Sequence, residues 1–189
     1  MEAEPGPAWP APGTYALDPP HTFIYFAARH LVVGMVRGRF DRSAGTLVIA
    51  ANPAECSLDV TIDTGSVSTQ NSTRDDDLRS SAFFDAARFP TATYRGHGIR
   101  SVGAAWIIDG TLTIRGVSRV VPLTFAYRGT AADVAGQPRR IAFQGTAAVK
   151  RADFDMIRDL LSEIGTQSTT PDVTLEINAE ALAVDESHA

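Results

Sequence analysis

From Tyr15 to Leu182 the apolar positions recur mostly with a period of two, the spacing of strands whose successive side chains point to opposite faces. In Tyr15 to Val33, Ile24, Phe26, Ala28 and His30 share the face expected to point inward, and Phe23, Tyr25, Ala27 and Arg29 share the other. Gly34 interrupts the run. Alternation resumes over Met35 to Arg42 through Val36, Gly38 and Phe40, and Ser43-Ala44-Gly45 is expected to turn the chain into a short strand, Thr46 to Ala50. After Asn52-Pro53, Leu58, Val60 and Ile62 alternate with Asp59, Thr61 and Asp63, the clearest strand in the chain. Thr91 to Gly98, Ala105 to Arg115, Val120 to Arg128, Arg139 to Lys150 and Val173 to Leu182 follow, separated by Gly, Pro and Asp. About eight or nine strands at hairpin distance predict an all-β domain, one antiparallel meander closed into a barrel of about eight strands.

Two stretches depart from this period. Asn71 to Ser81 has a polar cap, acids in its first turn and an arginine near its end, and predicts the one substantial helix. The aromatics that follow, Phe83, Phe84 and Phe89, are expected over a barrel mouth. Asp153 to Pro171 reads as a loop or as a short helix around Met156 to Ile164, where apolar residues recur at near-helical spacing. Residues 1–13 read as a disordered, proline-rich lead and 184–189 as a tail, which leaves 14–183 for the barrel.

The 189 residues fit one large β-domain, and 44% hydrophobic with 21% charged residues describe a folded globular chain. A net charge of −5 without a basic stripe argues against nucleic acid as a partner. No run approaches the roughly 20 apolar residues of a membrane-spanning helix. The first residues carry Glu2 and Glu4 and lack both the positive start and the apolar stretch of a secretory signal, so the expected compartment is the cytoplasm. Cys56, the single cysteine, has no intramolecular partner and is expected to be buried and inert.

Candidate chemistry is sparse. There is no G-x-S-x-G elbow and no glycine-rich phosphate loop, and Cys56 lacks a recognisable histidine partner, so no catalytic residue is assigned. His21 is expected to brace a barrel end, and His97 and His188 are too isolated for a metal site, so neither metal nor cofactor is expected. Arg74, beside Asp75, Asp76 and Asp77, reads as a structural ion-pair centre that could also reach a ligand's polar head. Asp153 and Asp155, next to Arg151, read as a salt-bridged loop, with a pair of active-site carboxylates as the alternative.

Several blocks in order resemble one known family. They are H-T-F-I-Y-F-A-A-R-H-L-V-V-G-M-V-R-G-R-F at 21–40, S-V-S-T at 66–69, R-D-D-D-L-R at 74–79, F-F-D-A-A-R-F-P-T-A-T-Y at 83–94, D-G-T-L-T-I-R-G-V-S-R-V-V-P-L at 109–123 and R-A-D-F at 151–154. Together they are similar to the YceI-like polyisoprenoid-binding proteins over about residues 14 to 182. The resemblance implies a lipocalin-like barrel of eight strands, often dimeric, whose lumen holds a long lipidic chain, with no established chemistry. Many relatives have histidine where this chain has Asp77 and glycine where it has Asp155, and many are periplasmic.

A closed sheet of about eight strands either fills with side chains or holds one small ligand. The expected lumen is lined by Ile24, Phe26, Ala28, His30, Phe40, Val60 and Ile62, and further by Phe83, Phe84, Phe89, Tyr94, Leu112, Ile114, Phe125 and Phe143. His30, Arg74 and Asp155 are the candidate contacts to a polar head. The leading expectation is a carrier or storage protein for an isoprenoid, quinone or fatty-acyl chain. The alternatives are a lumenal cyclase or isomerase, where shape folds a flexible chain, and an interaction module.

Overall fold

The computed structural model describes residues 9–30, 34–103, 105–131, 138–156 and 172–184. Its strands are β1 (Gly13–Leu17), β2 (Phe23–His30), β3 (Gly34–Phe40), β4 (Ser43–Ile49), β5 (Ser57–Asp63), β6 (Val67–Ser68), β7 (Thr91–His97), β8 (Ile99–Val102), β9 (Ala105–Ile114), β10 (Val117–Ala131), β11 (Arg140–Lys150) and β12 (Asp172–Ala183). The helix is α1 (Ser72–Arg79). Every strand pairing is antiparallel, and a ring runs β1-β4-β5-β7-β9-β10-β11-β12 and back to β1. This is the predicted closed barrel of eight strands. β2, β3 and β6 extend the wall beyond β12, and β8 folds back on β9.

The long first strand of the sequence reading is broken in two. β1 and β2 lie successively along one edge of β12, at Leu17↔Ala181 and Phe23↔Asn178, with a single 3-10 turn at Pro19–His21 between them. Pro19 and Pro20 have no N–H for a ladder, which forces the break. Glu180 O bridges it by accepting the Asp18 N–H at 2.8 Å and the Thr22 hydroxyl at 3.2 Å.

The turn expected at Ser43-Ala44-Gly45 is also corrected. These residues belong to β4, with Ser43 opposite Ile62 and Gly45 opposite Val60. The chain bends one step earlier, at Asp41-Arg42, where Ser66 O and Ser66 Oγ each take one amide at 3.1 Å. Gly45 is there for closeness: a Cβ would lie 2.6 Å from Asp59 O. β6 and β8 escaped the sequence reading because strands that short show no period.

Asn71 caps α1, its Oδ1 accepting the Arg74 N–H at 3.0 Å. Asp76 and Asp77 are exposed, as a solvated first turn requires, but Asp75 is buried and accepts both the N–H and the hydroxyl of Thr69, at 2.7 and 2.6 Å. The end of the expected lead is part of the fold. Trp9 stands 4.5 Å from Trp106 between ring centroids, and Ala11 O accepts the Tyr15 hydroxyl at 2.8 Å. The helix expected around Met156 to Ile164 lies outside the described residues apart from Met156, which is buried after a 3-10 turn at Arg151–Phe154.

The barrel wall follows the pleat. On β9, Trp106, Ile108, Leu112 and Ile114 are buried while Asp109 and Thr111 face out. Outward cross-strand pairs such as Asp59–Arg95, 2.9 Å apart and both about half exposed, contribute little. Burial of each large aliphatic side chain contributes roughly 1.5–3 kcal/mol.

Candidate functional site

Two neighbouring strands show how the lumen is organised. The inward residues of β12 are, in order, Val173, Leu175, Ile177, Ala179 and Ala181, and those of β11, running the other way, are Val149, Ala147, Gly145, Phe143 and Ile141. The far end is a plug: Tyr15, Ile141 and Ala181 have no exposed surface and pack with Ile49 and Trp9. The steps from Val173 to Ala179 are not plugged. At about 3.3 Å per residue they span roughly 20 Å.

Along this length lie two cavities of about 130 Å³ each. The inner one runs past Val60, Tyr94, Phe125, Phe143 and Ile177. The outer one lies among Phe26, Phe40, Phe84, Met156 and Val173 under α1. Both touch Ile24, Ile62, Leu112 and Leu175, which form a waist between them. Each approaches the roughly 150 Å³ of an apolar cavity that stays dry and admits benzene. Phe125, Phe143, Leu123, Leu175 and Ile177 face inward yet are only half-buried, so the wall does not fill its own interior.

Aromatic contacts hold the outer cavity open. Phe26 and Phe40 are 5.7 Å apart and tilted, and Phe40 meets Phe84 edge-on at 5.4 Å. Gly38 permits this, because a Cβ there would lie 2.3 Å from Phe26 Cζ. In the inner cavity the polar end of Tyr94 is fully used. Its oxygen accepts the Gly110 N–H at 3.0 Å, and its proton is shared between Val121 O at 2.9 Å and Ile108 O at 3.1 Å. Burial pushes this phenol up to about 12.

Thirteen of the expected lining residues border one cavity or both: Ile24, Phe26, Ala28, Phe40, Val60, Ile62, Phe83, Phe84, Tyr94, Leu112, Ile114, Phe125 and Phe143. Phe89 borders neither. Arg88 lies over its ring at 5.2 Å and its carbonyl accepts the Thr64 hydroxyl at 2.7 Å, so it ties down the loop before β7. His30 pairs with Gly34 at the end of β2, and its side chain lies outside the described residues.

The other two candidate head contacts are turned elsewhere. Arg74 gives Nε to Thr69 Oγ1 at 2.8 Å and a terminal nitrogen to Thr69 O at 3.1 Å, so it braces the loop and is no ion-pair centre. Asp155 is exposed with φ 56°, ψ 23°, the left-handed region that favours glycine, and its carbonyl accepts from Arg115 at 3.1 Å. The residues that sequence reasoning passed over lie mainly on the later strands, among them Leu123, Ala147, Leu175 and Ile177, and their period-two spacing was the available signal.

Polar clusters lie away from the lumen. Asp18, His21 and Glu180 offer ligand atoms within 4.8 Å of one another, but Arg140 already bridges the two carboxylates and His21 Nδ1 meets Asp18 at 2.8 Å. Cys56 is 1% exposed, takes the Ala50 N–H at 3.2 Å and has its thiol pushed up by burial. A groove of about 360 Å³ along β2 and β3, between Tyr25, Arg37 and Glu176, has a mixed polar and apolar lining. Among the described residues no helix is long and apolar enough to cross a membrane.

A closed antiparallel barrel with an unfilled apolar interior, plugged at one end and roofed by a helix at the other, defines the class of protein. Residues 15–181 match the YceI-like domain, and the chain belongs to that family. It is 34% identical over 167 residues to a UPF0312 protein of Ectopseudomonas mendocina, covering 86% of this chain and 85% of that one. It is also 34% identical to Protein YceI of Salmonella newport, over 74% of this chain and 73% of that one. Among solved structures, the YCEI protein of Campylobacter jejuni superposes with a TM-score of 0.69 at 30% identity, covering 84% of this chain and 91% of that one. A polyisoprenoid binding domain from Saccharophagus degradans superposes with a TM-score of 0.67 at 21% identity, covering 90% and 98%.

Proposed function

We propose that this protein binds an elongated apolar molecule, an isoprenoid, quinone or fatty-acyl chain, along the barrel lumen and serves as its carrier or store. The observation that carries this reading is the pair of apolar cavities in series behind inward side chains that leave the interior unfilled. A chain threaded past Ile24, Ile62, Leu112 and Leu175 would leave water along its whole length, gaining about 0.8 kcal/mol per buried methylene. The ligand class named for the Saccharophagus degradans domain agrees with such a lumen. Among the described residues the polar side chains on the two cavity walls are Thr22, Ser57, Tyr94 and Arg151, and Tyr94 is committed to backbone, which favours binding over chemistry.

Native mass spectrometry of the purified protein, followed by lipid extraction, tests this. A lipidic adduct at one per chain is expected, or, if the lumen is emptied in purification, saturable one-to-one binding of a fluorescent polyene lipid. The absence of both a lipidic adduct and saturable binding would overturn the reading.

A further inference from the structure

The outer cavity is apolar on every side but one. Of the described side chains that border it, Arg151 alone is charged or polar. Arg151 opens the 3-10 turn that follows β11 and is half-buried, so it reaches both the cavity and solvent. Its neighbours on the turn, Asp153 and Asp155, are exposed and neither pairs with it, so the salt-bridged loop expected from the sequence is not formed. Arg115, the arginine that meets the same turn, is engaged, giving its guanidinium to Asp155 O at 3.1 Å. Among the described residues the Arg151 side chain has no hydrogen bond and no ion pair; its carbonyl accepts the Met156 N–H at 3.2 Å.

A guanidinium at the edge of an apolar cavity, with no counter-charge among the described residues, loses hydration and gains no partner there. The group that restores the balance is an oxyanion, whose two oxygens match the planar fork of arginine. Position adds direction. The plug at Tyr15, Ile141 and Ala181 closes the far end, so a ligand enters with its tail first and its head stops at Arg151.

We infer that Arg151 is the head-group anchor of the lumen and that the ligand is an amphipathic acid: an apolar chain ending in a carboxylate or phosphate, and not a neutral quinone or hydrocarbon. This rests on the lumenal reading above and narrows its ligand class.

Parallel titrations of cis-parinaric acid and its methyl ester at pH 8 test it, with wild type, Arg151→Met and Arg151→Lys. Wild type is expected to bind the acid about ten- to a hundredfold more tightly than the ester, the range of a charge-assisted hydrogen bond. Arg151→Met should bring the acid down to the ester's affinity and leave the ester unchanged, and Arg151→Lys should restore part of the difference. Displacement of the ester by farnesyl phosphate against farnesol separates the two sources: preference for the phosphate without preference for parinaric acid assigns a phosphate head, and the reverse a carboxylate. Equal binding of acid and ester with no phosphate preference, or preferences that survive Arg151→Met, would overturn the anchor while leaving lumenal binding in place. Failure of all probes to bind would overturn the lumenal reading and the anchor with it. Circular dichroism of each variant confirms the fold, which a half-buried side chain without partners should not disturb.

Discussion

The hydroxyl of Tyr94 sits in a notch made by Gly110: the oxygen takes the glycine N–H at 3.0 Å, and a Cβ on Gly110 would lie 2.3 Å from Tyr94 Cζ. A side chain on β7 thereby enters the seam between β9 and β10, where Gly110 faces Val121. Tyr94→Phe leaves that N–H without its partner and should cost about 1–3 kcal/mol at neutral pH. Gly110→Ala should be at least as damaging, because the ring must leave its notch. Urea midpoints of the three proteins check both.

The same phenol makes the fold sensitive to alkali. Its pKa is about 12 in the fold against 10.0 unperturbed, so the folded state holds the proton more tightly. The stabilisation is complete below pH 10 and is lost as pH rises from 10 through 12. Between pH 8 and 11 wild type should lose about 1.4 kcal/mol more than Tyr94→Phe, the value of one pKa unit. Equal losses in the two proteins would contradict this origin.

At the acid end the relevant group is Asp18, 12% exposed. Hydrogen bonding from Arg140, aided by His21 and opposed by burial, holds its carboxyl below the usual 3.8. Its contribution is present above that value and is lost as pH falls through the lower folded-state pKa. Asp18→Asn should therefore lower stability at pH 6 and flatten the wild-type decline below pH 4, measured by thermal midpoint against pH.

The lumen can be blocked without touching its polar groups. Ala28 borders the outer cavity, whereas Ala27 borders the groove along β2 and β3. Ala28→Trp should fill space the ligand needs and weaken binding of a polyene lipid at least tenfold, and Ala27→Trp should change it by less than twofold. Equal, tight binding by both variants would contradict a ligand in this cavity.

Trp9 gives a measurable role to the end of the N-terminal segment. Its ring packs on Trp106, and its indole N–H donates to Ala50 O at 3.4 Å. Trp9→Ala should lower stability by about 1–3 kcal/mol, since an aromatic contact and part of the plug are lost. A chain beginning at Thr14 should be destabilised at least as much.

The alternation of apolar and polar residues was enough to place most strands, the closure into a barrel and the lining residues that lie on strands, because a strand with one buried face writes its register into every second position. It also placed α1, through Asn71 and the acids that follow it. Other features depended on contacts between segments far apart in sequence. The break of the first strand and the true bend at Asp41-Arg42 depend on Glu180 and Ser66, which lie far along the chain. Phe89 carries the same apolar signature as Phe84, yet only packing sets one on the cavity and the other beneath Arg88. Arg74, Asp155 and Arg151 are polar residues in polar surroundings when read in sequence. Their roles separate only once the folded chain has supplied Thr69 to one, a solvent-facing left-handed turn to the second and an apolar cavity to the third. Periodicity records which face of a strand avoids water, a local property. Whether the enclosed space is filled, and which charge is left facing it, depends on side chains brought together from the whole barrel.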